Sequence, residues 1–206
     1  MPAEPSIKGA AIAKLIEDVQ LCLSRSEADR IRLEAKLSPE TVRMLQGKVE
    51  IGSWYPVGMY DELTDLIWQE EGGGSSDYLR QRGEKMMKRL MEAGLYQQLD
   101  FLDRIDRGLQ EKITRDDVQR TCRLIGSVSG AIRNFGKDSW VWDPDNPDIM
   151  VHHLRDALHF SEMLRLVSEG SENFVAQTLC PGAPRVTSER VAADYIVYLS
   201  DYSRIV

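Results

Sequence analysis

Residues 137–160, KDSWVWDPDNPDIMVHHLRDALHF, decide the fold class because the spacing of the apolar residues changes there. Upstream, apolar residues recur every three or four positions, which is typical of amphipathic helices. In the segments SWVW and IMVHHLRDA they alternate instead, which indicates strands. Between these segments, DPDNPD has the composition of a turn. We therefore predict two neighbouring strands that follow a mainly helical part of the chain.

The remaining C-terminal sequence predicts one helix and one more strand. The helix covers residues 161–179, with Ser161 as its N-cap. The final strand covers RVAADYIVYLS, residues 190–200, and its alternation places five residues on one face: Val191, Ala193, Tyr195, Val197 and Leu199. Because only one helix interrupts the strands, we expect an α+β fold with a predominantly helical N-terminal part and a small antiparallel sheet at the C-terminal end.

Helix starts and breaks are also visible upstream. Ser38 and Pro39 form a helix start, and GGGSS at residues 72–76 separates two helices. Thr114, followed three residues later by Asp117, resembles a capping box. Apolar residues then follow at helical spacing: Val118, Cys122, Ile125, Val128, Ile132 and Phe135. We expect a single domain over residues 1–206, with a helical elaboration at 1–48 and a ligand-binding-like core at 49–206.

The composition argues against several classes of function. The chain has 206 residues, 26 Lys and Arg against 33 Asp and Glu, and a formal net charge of −7. This charge opposes nonspecific binding to nucleic acid or to an anionic membrane. The sequence contains no apolar run of about 18 residues and does not begin with a signal peptide. We expect a cytoplasmic protein with no membrane span and no nucleic-acid partner.

All three histidines, His152, His153 and His159, fall within eight residues of the second predicted strand. Neighbours in a strand point to opposite faces, so His152 and His153 would not both bind one ion. We therefore expect histidines on a partly exposed sheet face and no metal site. Cys180 precedes Pro181 and is expected to be the most exposed cysteine. A metal- or thiol-dependent enzyme built around these histidines and Cys180 remains an alternative.

Two stretches carry a resemblance to known families. WYPVGMYDELTDLI, with the following helix YLRQRGEKMMKRLMEAGLY, resembles a family abundant in myxobacteria. The C-terminal order of helix, two strands, helix and strand is similar to a larger superfamily. That superfamily holds haem–nitric-oxide-binding domains, 4-vinyl-reductase-type ligand-binding domains and the Bet3-type subunits of a vesicle-tethering complex. The resemblance covers roughly residues 50–200 and implies a non-catalytic domain that encloses a ligand or dimerises through its helices.

The resemblance also bears on the cofactor. In the haem-binding branch, the axial histidine lies on a helix ahead of the strands, and a Tyr-x-Ser-x-Arg motif holds the propionates. No histidine precedes His152 in this chain, and the motif is absent. We therefore expect no haem and no other cofactor.

Aromatic residues and small residues mark the candidate binding site. Small residues in the helix after Thr114 allow a close approach of another group, and aromatic residues line pockets and interfaces. The candidate ligand- or partner-binding residues are Trp54, Tyr55, Tyr60, Trp68, Gly126, Gly130, Trp140 and Trp142. We expect a non-catalytic regulatory or adaptor module that binds a protein partner or a hydrophobic small molecule as a homodimer. A structural subunit of a larger hetero-assembly is a further alternative.

Overall fold

A computed structural model describes residues 4–92 and 113–204 of the chain. The chain divides into two compact units: Met1–Tyr78 with Gly130–Phe135, and Leu79–Ser129 with Gly136–Val206. Helices predominate in the N-terminal part, and an antiparallel sheet lies near the C-terminus, which confirms the predicted α+β class. The expected boundary near residue 48 stays a prediction.

The first unit is a helical layer beside a short two-stranded ribbon. Its elements are β1 (Ser6–Lys8), α1 (Gly9–Leu23), α2 (Glu27–Glu34), α3 (Pro39–Gln46), β2 (Trp54–Pro56) and α4 (Val57–Glu70). Strands β1 and β2 pair antiparallel. The buried side of α1 includes Ile12 and Val19, and that of α4 includes Leu63 and Ile67. The predicted cap of α3 is confirmed, because the Ser38 hydroxyl accepts a hydrogen bond from the amide of Thr41 at 3.3 Å.

The second unit contains the main sheet. Helix α5 (Ser76–Glu92) leads into it, and its further elements are α6 (Arg115–Ile132), β3 (Lys137–Trp142), β4 (Ile149–Arg155), α7 (Glu162–Leu179), β5 (Thr187–Ala192) and β6 (Tyr195–Asp201). The strand order is β3-β4-β6-β5, and every pair is antiparallel. Buried and exposed residues alternate along the two central strands, so the sheet has a packed inner face and an exposed outer face.

The prediction of one final strand over residues 190–200 is wrong, because this part of the chain belongs to two strands. A turn at residues 193–194 divides it, so that β5 and β6 form a hairpin in which Ala192 pairs with Tyr195. The turn contains no glycine, proline or asparagine. The alternation of apolar residues therefore predicted one continuous strand through it. The buried face of β6 carries Ile196 and Tyr198, whereas Leu199 lies on the opposite, exposed face.

The predicted start of α6 is confirmed. Asp117 Oδ2 accepts the amide of Thr114 at 3.0 Å, and the Thr114 hydroxyl accepts the amide of Asp117 at 3.3 Å, which completes a reciprocal capping box. Val118, Cys122 and Ile125 are buried as expected. Phe135 is buried too, but it lies beyond the end of the helix.

Helices α5 and α7 cross at a pair of glycines. A Cβ atom on Gly83 would lie 2.8 Å from the carbonyl carbon of Val167, and one on Gly170 would lie 2.6 Å from the carbonyl carbon of Arg80. The backbones are thus too close for any side chain at these two positions. Beside the crossing, the Ser171 hydroxyl donates to the carbonyl of Gly83 at 3.1 Å.

None of the helices in residues 4–92 and 113–204 combines the length and the apolar character that crossing a bilayer requires.

Candidate functional site

Three rings from neighbouring strands stack on the inner face of the sheet. The register places Trp140 of β3 opposite His152 of β4, and His152 opposite Tyr198 of β6. The Trp140 and His152 ring centroids are 4.1 Å apart with an interplanar angle of 13°, and those of His152 and Tyr198 are 5.0 Å apart at 15°. The imidazole of His152 is therefore held between two aromatic faces, which favours a positive charge on it.

Two carboxylates bind the same imidazole. His152 Nε2 donates to Asp138 Oδ1 at 2.9 Å, and His152 Nδ1 pairs with Glu172 Oε1. Asp138 lies on β3 and Glu172 on α7, so this buried ion cluster joins two strands and a helix. Burial lowers the pKa of His152, but the charge of Glu172 and the hydrogen bonds to both carboxylates outweigh it and raise this pKa to about 9. The ring is a buried imidazolium at neutral pH.

Gly126 brings helix α6 against the same stack. A Cβ atom at this position would lie 2.6 Å from Cζ3 of Trp140, so the indole occupies the space that a side chain would need. Cys122, one turn earlier on α6, is buried near Glu172, and burial and that carboxylate raise the pKa of its thiol. In contrast, no atom outside its immediate neighbours lies within 4 Å of the position that a Cβ atom on Gly130 would take.

Trp142 lies on the inner face two residues beyond Trp140. Its ring meets the buried ring of Tyr202 edge-on, with centroids 5.9 Å apart. The guanidinium of Arg115 lies 5.5 Å from the Trp142 centroid, in a cation–π position. Trp142 is thus in contact with the first turn of α6 as well as with the end of the sheet.

The other four predicted aromatic residues belong to the first unit, whereas Trp140 and Trp142 belong to the second. Two of the four, Trp54 and Tyr55, lie on β2, and the other two, Tyr60 and Trp68, lie on α4. Trp54 is exposed beneath the ammonium group of Lys8, whereas Tyr60 is buried. The Trp68 indole donates to the carbonyl of Ser75 at 2.8 Å. All four remain predicted site residues.

Sequence reasoning found part of this inner-face cluster and missed its charged members. Gly126, Trp140 and His152 were all singled out, but the first two as site residues and His152 only as a sheet residue. Asp138 and Glu172 were not identified among 33 acidic residues. The alternation along β3 could have identified Asp138, because Asp138 and Trp140 are two residues apart and share a face of the strand.

The expectation for the histidines is therefore wrong for His152, which is only 5% exposed. The prediction that His152 and His153 lie on opposite faces is confirmed. His153 is half-buried and pairs with the Tyr195 hydroxyl at 2.5 Å, and His159 lies beyond the end of β4 and is exposed. Cys180, expected to be the most exposed cysteine, is buried, and its burial raises the pKa of the thiol. Within the described residues, no cluster of three or more His, Cys, Asp or Glu side chains could hold a metal ion.

Comparison with solved structures shows a fold similar to that of H-NOX, the haem–nitric-oxide-binding proteins. An H-NOX protein from S. oneidensis in the Fe(II)NO ligation state matches with a TM-score of 0.56 and 13% identity, over 95% of this chain and 98% of that chain. A mutant H-NOX protein from K. algicida, Fe(II) unliganded, matches with a TM-score of 0.56 and 12% identity, over 95% of this chain and 96% of that chain. No family model and no curated protein sequence matches the chain.

This comparison overturns the expectation that no cofactor is bound. The similar chains are H-NOX proteins described in Fe(II) states, whereas the sequence predicted a chain without a cofactor. In the described part of the chain, neither His152 nor Cys22 is suited to bind iron as an axial ligand in the arrangement observed. Both ring nitrogens of His152 bind carboxylates, and burial with the Glu71 hydrogen bond raises the pKa of the Cys22 thiol to about 11.

Proposed function

We propose that this chain is a non-catalytic sensor module that binds a small molecule and transmits its presence through a change in helix packing. The observation that carries the proposal is the similarity of fold to H-NOX proteins over 95% of the chain. The same similarity supports a regulatory role rather than an enzymatic one. The buried thiols, whose pKa values are raised, do not favour the thiol-enzyme alternative.

The proposed ligand contacts lie where α6 meets β3. Gly126 leaves space that the Trp140 indole fills, so a ligand that displaced this ring would contact the inner face of the sheet and helix α6. The flanking ring of Trp142 adds a second aromatic surface. A planar, hydrophobic small molecule matches this chemistry.

A continuous set of contacts connects the junction of α6 and β3 to helix α7. Trp140 touches α6 at Gly126 and stacks on His152, which in turn is paired with Glu172 of α7. A ligand that moves Trp140 therefore alters the environment of the ion cluster and the position of α7 on the sheet. Such coupling requires that the ligand binds one packing arrangement more tightly than the other.

We also propose that the module acts as a homodimer and passes the change on to a protein partner. Two helices that respond together to one ligand can change a surface shared with another chain.

Native mass spectrometry of the chain purified without added cofactor tests the ligand-binding proposal. We expect a non-protein mass that is retained under native conditions and lost on denaturation. The Trp140→Leu variant should lose this mass, whereas Leu21→Ala, which changes an exposed apolar residue of α1, should keep it. An absorption band of the released group would identify haem. A wild-type chain free of any bound mass would contradict the proposal and favour a structural subunit.

A further inference from the structure

The three stacked rings of the inner face form a column that crosses the sheet from strand to strand. Tyr198 of β6, His152 of β4 and Trp140 of β3 lie opposite one another in register, and adjacent rings are tilted by only 13° and 15°. The ring centroids are 4.1 Å and 5.0 Å apart, close to the spacing of about 4.8 Å between neighbouring strands. The column therefore extends by one ring with each strand.

The end of this column at β5 is closed by hydrogen-bonded polar side chains. Ser188 of β5 pairs in register with Tyr198, so it stands on the next strand beyond the last ring. Its hydroxyl donates to the buried carboxylate of Glu169, and the guanidinium of Arg165 donates to the Ser188 carbonyl at 3.0 Å. Tyr198 itself is fully buried, so this end offers no ring face to a ligand.

The end of the column at β3 is different. Strand β3 is the outermost strand on this side, and no further strand follows it within residues 4–92 and 113–204. His152 covers one face of the Trp140 indole, whereas helix α6 meets the rim of its six-membered ring. A Cβ atom on Gly126 would lie 2.6 Å from Cζ3, 3.1 Å from Cη2 and 3.7 Å from Cε3, which are neighbours along that rim. Trp140 is only partly buried, so the ring face turned away from His152 lies at the edge of the sheet.

We propose that the ligand of the sensor module is a flat aromatic molecule that stacks on this outer face of Trp140 and becomes the fourth ring of the column. The inference rests on the proposed function and gives the chemical class and the position of its ligand. A fused aromatic ring system can lie flat on an indole, whereas a saturated ring system of the same size is puckered and loses the stacking interaction. A ligand in this position acts on His152 through a single ring.

The neighbours of Trp140 on the inner face of β3 indicate the size of the ligand. Two residues further along is Trp142, whose ring adds an aromatic surface, and two residues earlier is Asp138, whose carboxylate accepts a hydrogen bond from His152. A ring system that extends towards Trp142 stays in aromatic surroundings, and one that extends towards Asp138 meets a carboxylate. We therefore expect two or three fused rings rather than one.

Ligand-observed NMR with 2-naphthol and decahydro-2-naphthol tests the chemical class. Both probes are uncharged alcohols at pH 7 with the same carbon skeleton, and only 2-naphthol is flat. The titration uses the full chain, freed of any copurified molecule. We expect upfield shifts of the naphthol ring protons, because they lie over the indole ring, and binding of the saturated probe that is about 2- to 10-fold weaker. Equal binding of the two probes, or no binding of 2-naphthol, overturns the proposal.

Substitutions on β3 test the position. Trp140→Leu should abolish the upfield shifts and weaken the binding of 2-naphthol at least several-fold. Trp140→Phe keeps a smaller ring and should retain the shifts with weaker binding, so it tests the position even where the leucine variant does not fold. Val141→Ala is the matched control, because Val141 follows on the same strand but is 45% exposed on the outer face of the sheet, and it should bind like the wild type. Shifts that persist in Trp140→Leu overturn the site.

The identity of the copurified mass separates this inference from the proposed function. A wild-type chain without any bound mass contradicts the sensor proposal itself. A copurified molecule without an aromatic ring overturns the stacked ligand and leaves the sensor proposal intact. An aromatic molecule that Val141→Ala retains and Trp140→Leu loses supports both.

Discussion

His152 lies in the middle of a buried cluster of aromatic and charged side chains in the second unit. Its imidazolium is enclosed by the rings of Trp140 and Tyr198 and by the carboxylates of Asp138 and Glu172. A buried charge is stable only when it is paired and hydrogen-bonded, and both conditions hold here. The alternation in the sequence predicted which strand carries His152. It did not identify the carboxylates, because Glu172 reaches the ring from a helix 20 residues away and only the tertiary fold brings them together.

The first prediction concerns the pH dependence of stability. The pKa of His152 rises from 6.5 to about 9 on folding, so the ion cluster stabilises the protein fully below about pH 6.5 and loses this contribution as the pH rises through 9. His152→Gln should lower the free energy of unfolding at pH 7 by about 3–5 kcal/mol, since it leaves two buried carboxylates without their cation. Urea unfolding at pH 7 and pH 10 should show that the difference between wild type and variant narrows at the higher pH. A difference that stays constant would mean that His152 is not charged in the folded protein.

The second prediction compares two glycines of the same helix. In Gly126→Ala, the new methyl group would lie 2.6 Å from the Trp140 ring, and moving this ring away would disturb its stacking on His152. We expect a loss of about 1–3 kcal/mol in the free energy of unfolding from this overpacking. Gly130→Ala meets open space, and the better helix propensity of alanine should raise stability by up to about 1 kcal/mol. Equal effects of the two substitutions would contradict the close contact at Gly126.

At the scale of elements, local sequence signals predicted the helix starts well and the turns less well. The N-caps Ser38 and Ser161 and the capping box at Thr114 are found as expected, because each depends on side chains within three residues. The hairpin turn between β5 and β6 was missed because Asp194 is its only turn-favouring residue and the alternation continues across it. The α5–α7 crossing was missed for another reason, since nothing in the local sequence tells which helix approaches a given glycine.

The third prediction tests that crossing. Gly83→Ala and Gly170→Ala should each lower the free energy of unfolding by about 3 kcal/mol or more, because the added methyl group overlaps the backbone of the facing helix. Gly58→Ala is the control: it lies in α4, no atom comes within 4 Å of the place its methyl group would take, and stability should be unchanged or slightly raised. Thermal unfolding monitored by circular dichroism measures all three. A loss no larger than that of the control would mean that the helices do not approach as described.

At the scale of the whole molecule, the fold was predictable in class and the cofactor was not. The change in the spacing of apolar residues, from every three or four positions to every second position, was sufficient to predict an α+β fold. The match to H-NOX structures at 12–13% identity arises from shape rather than from shared motifs, which is why the missing histidine and the missing Tyr-x-Ser-x-Arg motif led to a wrong expectation about cofactors. The fold is similar although few residues are identical.

The sensor proposal makes the fourth prediction, which concerns how the two helices respond together. Because Trp140 contacts α6 and the His152 cluster holds α7, loss of the bound molecule should loosen both helices. Helix α1, which lies in the other unit, should be unaffected and serves as an internal control. Adding back the released small molecule to the refolded chain should restore the original protection.

Hydrogen–deuterium exchange of the chain as purified, compared with the same chain denatured, freed of small molecules and refolded, is the most direct measurement. We expect faster amide exchange in both α6 and α7 of the refolded chain, with exchange in α1 unchanged. Identical exchange in the two preparations, or a change confined to one of the two helices, would contradict a sensor that transmits ligand binding through Trp140 and His152.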